Sequence, residues 1–182
     1  MSRDTRRKDE SERVGGSEAQ AKDACLRLLT DRARSRTELE QSLAKKGFTP
    51  EVAERALDRL THVGLIDDAA FAAQWVHSRH NYSGKGKRAL ATELRRKGVG
   101  DDDASQALAQ ISRDDERSRA AELVRKKLRT LSVAKEPGER DKAVRRMVGM
   151  LARRGYDQSL AFDVVKTELA QLGAETEDLF DQ

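Results

Sequence analysis

One short pattern occurs three times in this chain and constrains its fold more than any other feature. Aligned on their glycines, the copies read Leu39-x3-Leu43-Ala-Lys-Lys-Gly47-Phe48, Leu90-x3-Leu94-Arg-Arg-Lys-Gly98-Val99 and Met147-x3-Leu151-Ala-Arg-Arg-Gly155-Tyr156. The match continues through Ala53, Ala104 and Ala161, then Ala56, Ala107 and Val164, then Leu57, Leu108 and Val165. Apolar residues four apart share one helix face, so each copy opens with a packing stripe. The glycine ends the helix, because it enters the left-handed conformation without strain, and the basic residues before it suit the negative end of the helix dipole. Thr49, Gly100 and Asp157 then stand where a second helix needs an N-cap, with Pro50 at the first helical position of the first copy. Helix, tight corner and helix therefore recur three times.

Composition argues against one large core. Of 182 residues, 37% are hydrophobic and 37% charged, a balance suited to several small cores. No alternating β-branched run reads as a strand. A helical hairpin alone buries too little surface, so each needs the helix before it to close a core. The expectation is an all-α fold of three tandem three-helix repeats, at 17–64, 65–111 and 112–172, forming an elongated, curved stack. Residues 1–16 read as a disordered charged tail and 173–182 as an acidic tail. The wider spacing between Gly98 and Gly155 falls at Thr130 to Glu139, where Pro137-Gly138 marks a linker. Ser17 to Thr30 reads as the first helix, Ser35 with Glu38 as a capping box, and Asp67 as the cap of the helix carrying Phe71 and Trp75. Those two aromatics, four apart, read as core rather than as a base-stacking platform.

Chemistry-bearing constellations are few. His62, His77 and His80 lack metal-ligand spacing, so no metal site is expected. Asp67-Asp68 is explained by a helix N-terminus, and Gly84-Lys85-Gly86-Lys87 lacks the spacing and preceding strand of a phosphate loop. The lone Cys25 lies in an apolar stretch and reads as core. No catalytic residues and no cofactor are expected. The chain lacks a run long enough to span a membrane, and its first residues lack a signal peptide's apolar segment, so a cytoplasmic protein is expected.

The basic residues are more telling. On the helix of the second copy, Arg88 and Arg95 fall opposite Leu90 and Leu94, with Arg96 between. In the third copy Lys142, Arg145, Arg146 and Arg153 sit similarly around Met147 and Leu151, whereas the first carries Thr37, Glu38, Glu40 and Ala44. The long helix after Ser112 adds Arg125, Lys126, Lys127 and Arg129. Charge this local points to an anionic partner, met by Lys85, Lys87, Arg88, Arg95, Arg96, Lys142, Arg145, Arg146 and Arg153. The helices after the corners begin Pro50-Glu51, Asp101-Asp102-Asp103 and Asp157-Gln158, and carboxylates repel phosphates. Base-specific groove reading is therefore disfavoured, leaving sequence-nonspecific backbone contact.

Gly64-Leu65-Ile66-Asp67-Asp68-x2-Phe71-Ala72-x2-Trp75-Val76-x2-Arg79, then Gly84-Lys85 and Leu90-x2-Glu93-Leu94-Arg95-x-Lys97-Gly98-Val99, closely resembles the central signature of the RecX family of recombination regulators. The match is specific over about Leu60 to Leu108, and the flanking copies extend it to about residues 20 to 172. The resemblance implies a cytoplasmic regulator without a catalytic site, which lies along the RecA filament on single-stranded DNA; a monomer is expected. It would restrain strand exchange, ATP hydrolysis and coprotease function in DNA repair and the SOS response. The rival readings are a sequence-nonspecific DNA-binding or transcriptional protein, and an adaptor with a merely solvated charged surface.

Overall fold

The computed structural model describes residues 16–129 and 137–178. Among them are nine α-helices and no strand: α1 (Glu18–Asp31), α2 (Arg36–Lys45), α3 (Pro50–His62), α4 (Asp68–Asn81), α5 (Lys87–Arg96), α6 (Asp101–Ala109), α7 (Arg113–Leu128), α8 (Pro137–Arg153) and α9 (Gln158–Asp178). The expected N-terminal tail up to residue 15 and residues 130–136 of the expected linker lie outside the described residues, as do 179–182. Pro137 and Gly138 open α8 instead of marking a linker. A proline tolerates the first turn, where its missing N–H has no intrahelical acceptor to lose. The backbone of the expected acidic tail is helical as far as Asp178.

Helix starts follow the sequence. Ser17, Ser35 and Ser112 each close a capping box, with Gln20, Glu38 and Asp115 respectively. The Thr49 hydroxyl accepts from the Val52 N–H, and Asp67 accepts from the Ala70 N–H at 2.8 Å. Each such cap stabilises its helix by about 1 kcal/mol. The three glycine corners are also built alike. The N–H of Phe48, Val99 and Tyr156 each donates to the carbonyl of the leucine five residues before it, Leu43, Leu94 and Leu151. The reversal requires a left-handed residue, and Gly47, Gly98 and Gly155 supply φ of 86°, 71° and 85°.

Contacts divide the helices between two units. One contains α1 to α3, α4 through Ala73 and Leu94–Ala104, and the other contains Gln74–Glu93 and the chain from Ser105. The first unit's core joins Ala21 and Cys25 of α1, Leu39 and Leu43 of α2, and Val52, Ala56, Leu57 and Leu60 of α3. Cys25 is fully buried, and burial pushes its thiol pKa up, so it is a packing residue and a poor nucleophile. The second unit's core joins Ala120, Val124 and Leu128 of α7, Met147 and Leu151 of α8, and Leu160, Val164 and Leu169 of α9. Tyr156 fills that core, and burial pushes its hydroxyl pKa up to about 12.

Each unit also contains the same joint, in which a glycine corner is laid against the start of an earlier helix. In the first unit the Ser35 hydroxyl donates to the Lys97 carbonyl at 2.5 Å, and the Asp68 carboxylate accepts from the Arg36 N–H at 2.8 Å. In the second, the Gly86 N–H donates to the Arg154 carbonyl at 2.9 Å and the Arg88 N–H to the Gly155 carbonyl at 3.1 Å. There the Glu116 carboxylate accepts from the Lys87 N–H at 2.9 Å. In the register that aligns Gly47 with Gly98, Ser35 matches Gly86 and Arg36 matches Lys87. The first N–H groups of α2 and α5, which have no intrahelical acceptor, are thus satisfied by carboxylates from α4 and α7. Glu38 strengthens the first joint, accepting from Lys97 Nζ at 2.8 Å and from Arg32 Nη1 at 3.0 Å.

Two outcomes follow from this geometry. A Cβ on Gly98 would stand 2.1 Å from Thr37 Oγ1 and one on Gly155 2.3 Å from the Ala89 nitrogen, whereas at Gly47 nothing lies within 4 Å. Gly47→Ala should therefore cost only left-handed strain, about 1–2 kcal/mol. Gly98→Ala should cost more, because Thr37 must also move. Gly155→Ala should cost most, because it meets main chain. Urea midpoints measure the order, and equal losses at all three positions would disprove it. The second outcome concerns acid. Burial pushes the Glu38 carboxyl up, but the hydrogen bonds from Arg32 and Lys97 outweigh it and hold the pKa at about 2, below the ordinary 4.5. A pKa lowered on folding stabilises the protein above pH 4.5, a contribution lost as pH falls towards 2. Glu38→Gln should lower the melting temperature at neutral pH, by an amount that shrinks on acidification through that window. A pH-independent difference would show that the carboxylate's charge is not what stabilises the joint.

Candidate nucleic-acid interface

The α5 stripe sorts its charges. Leu90 and Leu94 are fully buried, which turns Arg88, Arg95 and Arg96 outward. Arg88 keeps 70% of its side chain exposed while pairing with Asp157. The Ser159 hydroxyl and N–H hold the Asp157 carboxyl below its usual range, so the acid beside Arg88 stays ionised. An ion pair this exposed contributes little to folding and leaves the guanidinium accessible. Lys87 is half-buried, its N–H bound to Glu116. Arg95 and Arg96, near the end of α5, belong to the first unit.

Lys85 occupies a different setting. Its Nζ lies 3.8 Å from Glu93, which also accepts from Arg79 Nε and Nη2, each at 3.0 Å, and from the Trp75 indole N–H at 2.9 Å. Burial pushes the Glu93 carboxyl up, but the bonds from Arg79 and Trp75 outweigh it and hold it below the usual range. Arg79 also lies 5.6 Å from the Trp75 ring centroid, a cation–π contact. Much of the Lys85 charge is thus answered within the protein. The network also corrects the reading of the aromatic pair: Phe71 is buried, but Trp75 is only partly so, because its indole nitrogen reaches out to Glu93.

On α8, Lys142, Arg145, Arg146 and Arg153 are all exposed, while Met147 and Leu151 are fully buried. At 100° per residue, Lys142, Arg146 and Arg153 form one cationic stripe opposite Leu151, with Arg145 beside it. Seven of the nine sequence-selected cations, all but Arg95 and Arg96, therefore lie in the second unit. The neighbouring Arg154 faces inward, donating from Nη1 to the Ser83 carbonyl at 2.7 Å. Sequence reasoning overlooked Tyr82, which at 82% is the most exposed large hydrophobic residue among the described residues. Its position in a loop, off any helical stripe, was the available signal.

Among the described residues no group of three or more His, Cys, Asp or Glu could hold a metal ion, and no helix is long and apolar enough to cross a membrane. His80 is buried with Nδ1 2.8 Å from the Lys85 carbonyl, which gives it a structural place in the loop before α5.

Comparison with known proteins agrees with this architecture. Residues 21–60 match the family model described as RecX, first three-helix domain, and residues 67–108 the one described as RecX, second three-helix domain. A curated relative from Mycolicibacterium smegmatis, "Regulatory protein RecX", is 60% identical over 153 residues, covering 84% of this chain and 81% of the relative. One of the same name from Mycolicibacterium vanbaalenii is 56% identical over 165 residues, covering 89% and 88%. A solved structure, "Crystal structure of regulatory protein RecX", superposes with a TM-score of 0.73 at 26% identity, covering 82% of this chain and 73% of that one. The RecX structure from Lactobacillus salivarius gives 0.71 at 22% identity, covering 86% and 97%, a likeness of fold. With the repeated all-α architecture and relatives this similar along most of their length, the chain belongs to the RecX family of regulatory proteins.

Proposed function

We propose that this protein binds the filament formed by the RecA recombinase on single-stranded DNA and inhibits its strand exchange, ATP hydrolysis and coprotease activity in DNA repair and the SOS response. The observation that carries the reading is membership of the RecX family at 60% identity to a curated regulatory protein. The exposed cations support it, because a filament of protein and nucleic acid presents phosphate and acidic side chains together. In this reading Lys85, Lys87, Arg88, Arg95, Arg96, Lys142, Arg145, Arg146 and Arg153 engage the filament independently of base sequence. The protein acts as a cytoplasmic monomer with no catalytic site or cofactor of its own, and its working divisions are the repeats at 17–64, 65–111 and 112–172.

The test is RecA's DNA-dependent ATPase, measured with and without the protein. Inhibition beyond what competition for naked DNA explains separates this reading from a general DNA-binding protein. Changing Arg88 and Arg95 together to glutamate should leave helicity nearly intact, since both are exposed and surface changes cost about 0.5 kcal/mol or less. Inhibition should weaken strongly. If both arginines meet phosphates of a single strand, the slope of log affinity on log salt should fall by about 1.4. Ala44, the exposed match of Arg95 in the first copy, is the control, and Ala44→Glu should do much less. Thr37 is unsuitable as a control because it packs on Gly98. A folded double variant with parental potency and salt dependence would place the filament contact elsewhere.

A further inference from the structure

A second feature of the same unit lies outside the basic faces. The corner after α4, the exposed side of α7 and the end of α8 enclose a groove of about 500 Å³, within the range of small-ligand sites. Tyr82 stands on one rim, Leu123 and Met150 form apolar wall, and Lys126 and Lys127 supply charge from α7. We infer that this groove binds single-stranded DNA, with a base stacked on the Tyr82 ring and the adjoining phosphates held by Lys126 and Lys127.

Three observations lead there. Tyr82 is 82% exposed, so folding leaves its large flat ring largely unused. Its backbone is nonetheless fixed: the N–H groups of Tyr82, Ser83 and Gly84 donate to the carbonyls of Ser78, Arg79 and His80 at 2.9, 3.2 and 3.1 Å. Arg154 clamps the next carbonyl, Ser83, and Gly84 takes φ of 61° with the Leu123 methyls only 3.0 Å from where a Cβ would be. The ring is thus carried on a corner that is already set before any ligand arrives. Charge supplies the third observation. The groove's lining carries Arg119, Lys126, Lys127 and Arg154 against one acid, Glu122, which pairs with Arg119, so its field is positive. An acidic peptide would answer the lysines but not the ring, whereas an unpaired nucleotide answers both.

The inference shares only its ligand class with the proposed function and is tested without RecA, so either can fail while the other stands. The probes are a labelled oligothymidylate and an abasic oligomer of equal length, followed by fluorescence anisotropy. Tyr82→Ala should weaken oligothymidylate binding about 5- to 150-fold, the span expected for one lost stacking contact, and leave abasic binding nearly unchanged. Tyr82→Phe should keep parental affinity, and Tyr82→Leu, which keeps bulk without a flat face, should behave as alanine does. Changing Lys126 and Lys127 together to glutamate should weaken both probes and flatten the salt dependence. Parental oligothymidylate affinity in Tyr82→Ala and Tyr82→Leu, or equal losses on both probes, would overturn the stacking role. Parental affinity of the lysine variant would remove the phosphate role.

Discussion

The joint between a glycine corner and the first turn of an earlier helix is the interaction on which this fold rests. Small helical hairpins bury too little to stand alone, and the first N–H groups of α2 and α5 have no acceptor within their own helices. Both deficits are met at one place. The corner around Gly98 approaches closely enough for Ser35 to reach the Lys97 carbonyl, while Asp68 closes the N-terminus of α2. Around Gly155 the same approach is made by main chain, and Glu116 closes the N-terminus of α5. Leaving any of these polar groups unpaired would cost about 1–3 kcal/mol, so each joint favours one register over its neighbours.

The same joints decide which charges remain for a partner. Arg95, Arg96 and Lys97 are consecutive, yet the first two are exposed while Lys97 lies over Glu38 and 5.6 Å from the Phe71 ring centroid. Arg153 and Arg154 divide likewise, one outward and one turned to Ser83. Lys85 is drawn towards Glu93. Buried or half-buried ion pairs of this kind add little net stability, because desolvation offsets attraction, but breaking one is costly. They fix the arrangement, and the arginines left outside carry the outward field.

The local parts of this structure could be read from the sequence because their causes are local. Leucine spacing, capping residues and corner glycines act within a turn or two, and α1 to α4, α6 and α7 begin where those signals place them. The joints could not be read, because their partners are distant in the chain. Asp68 looked like a second cap for α4 and instead serves Arg36, while Asp67 caps α4 alone. Pro137 looked like the end of a connection and opens α8. Trp75 fits an apolar stripe by spacing, yet the carboxylate that holds its indole nitrogen comes from α5. For the candidate interface, helix periodicity found Arg88, Arg95 and the α8 stripe. It gave no weight to Tyr82, whose prominence depends on a corner held by Arg154, just after α8.

The second joint is made almost wholly of main-chain atoms, Gly86 and Arg88 donating N–H groups to the carbonyls of Arg154 and Gly155. A seam of that kind is indifferent to most side chains. Exposed side chains beside it, Arg88 among them, can change without loosening what lies beneath. Hairpins of one pattern can then carry different surfaces, as Arg88 and Thr37 do at matching positions, while the corners at Gly98 and Gly155 hold the two joints.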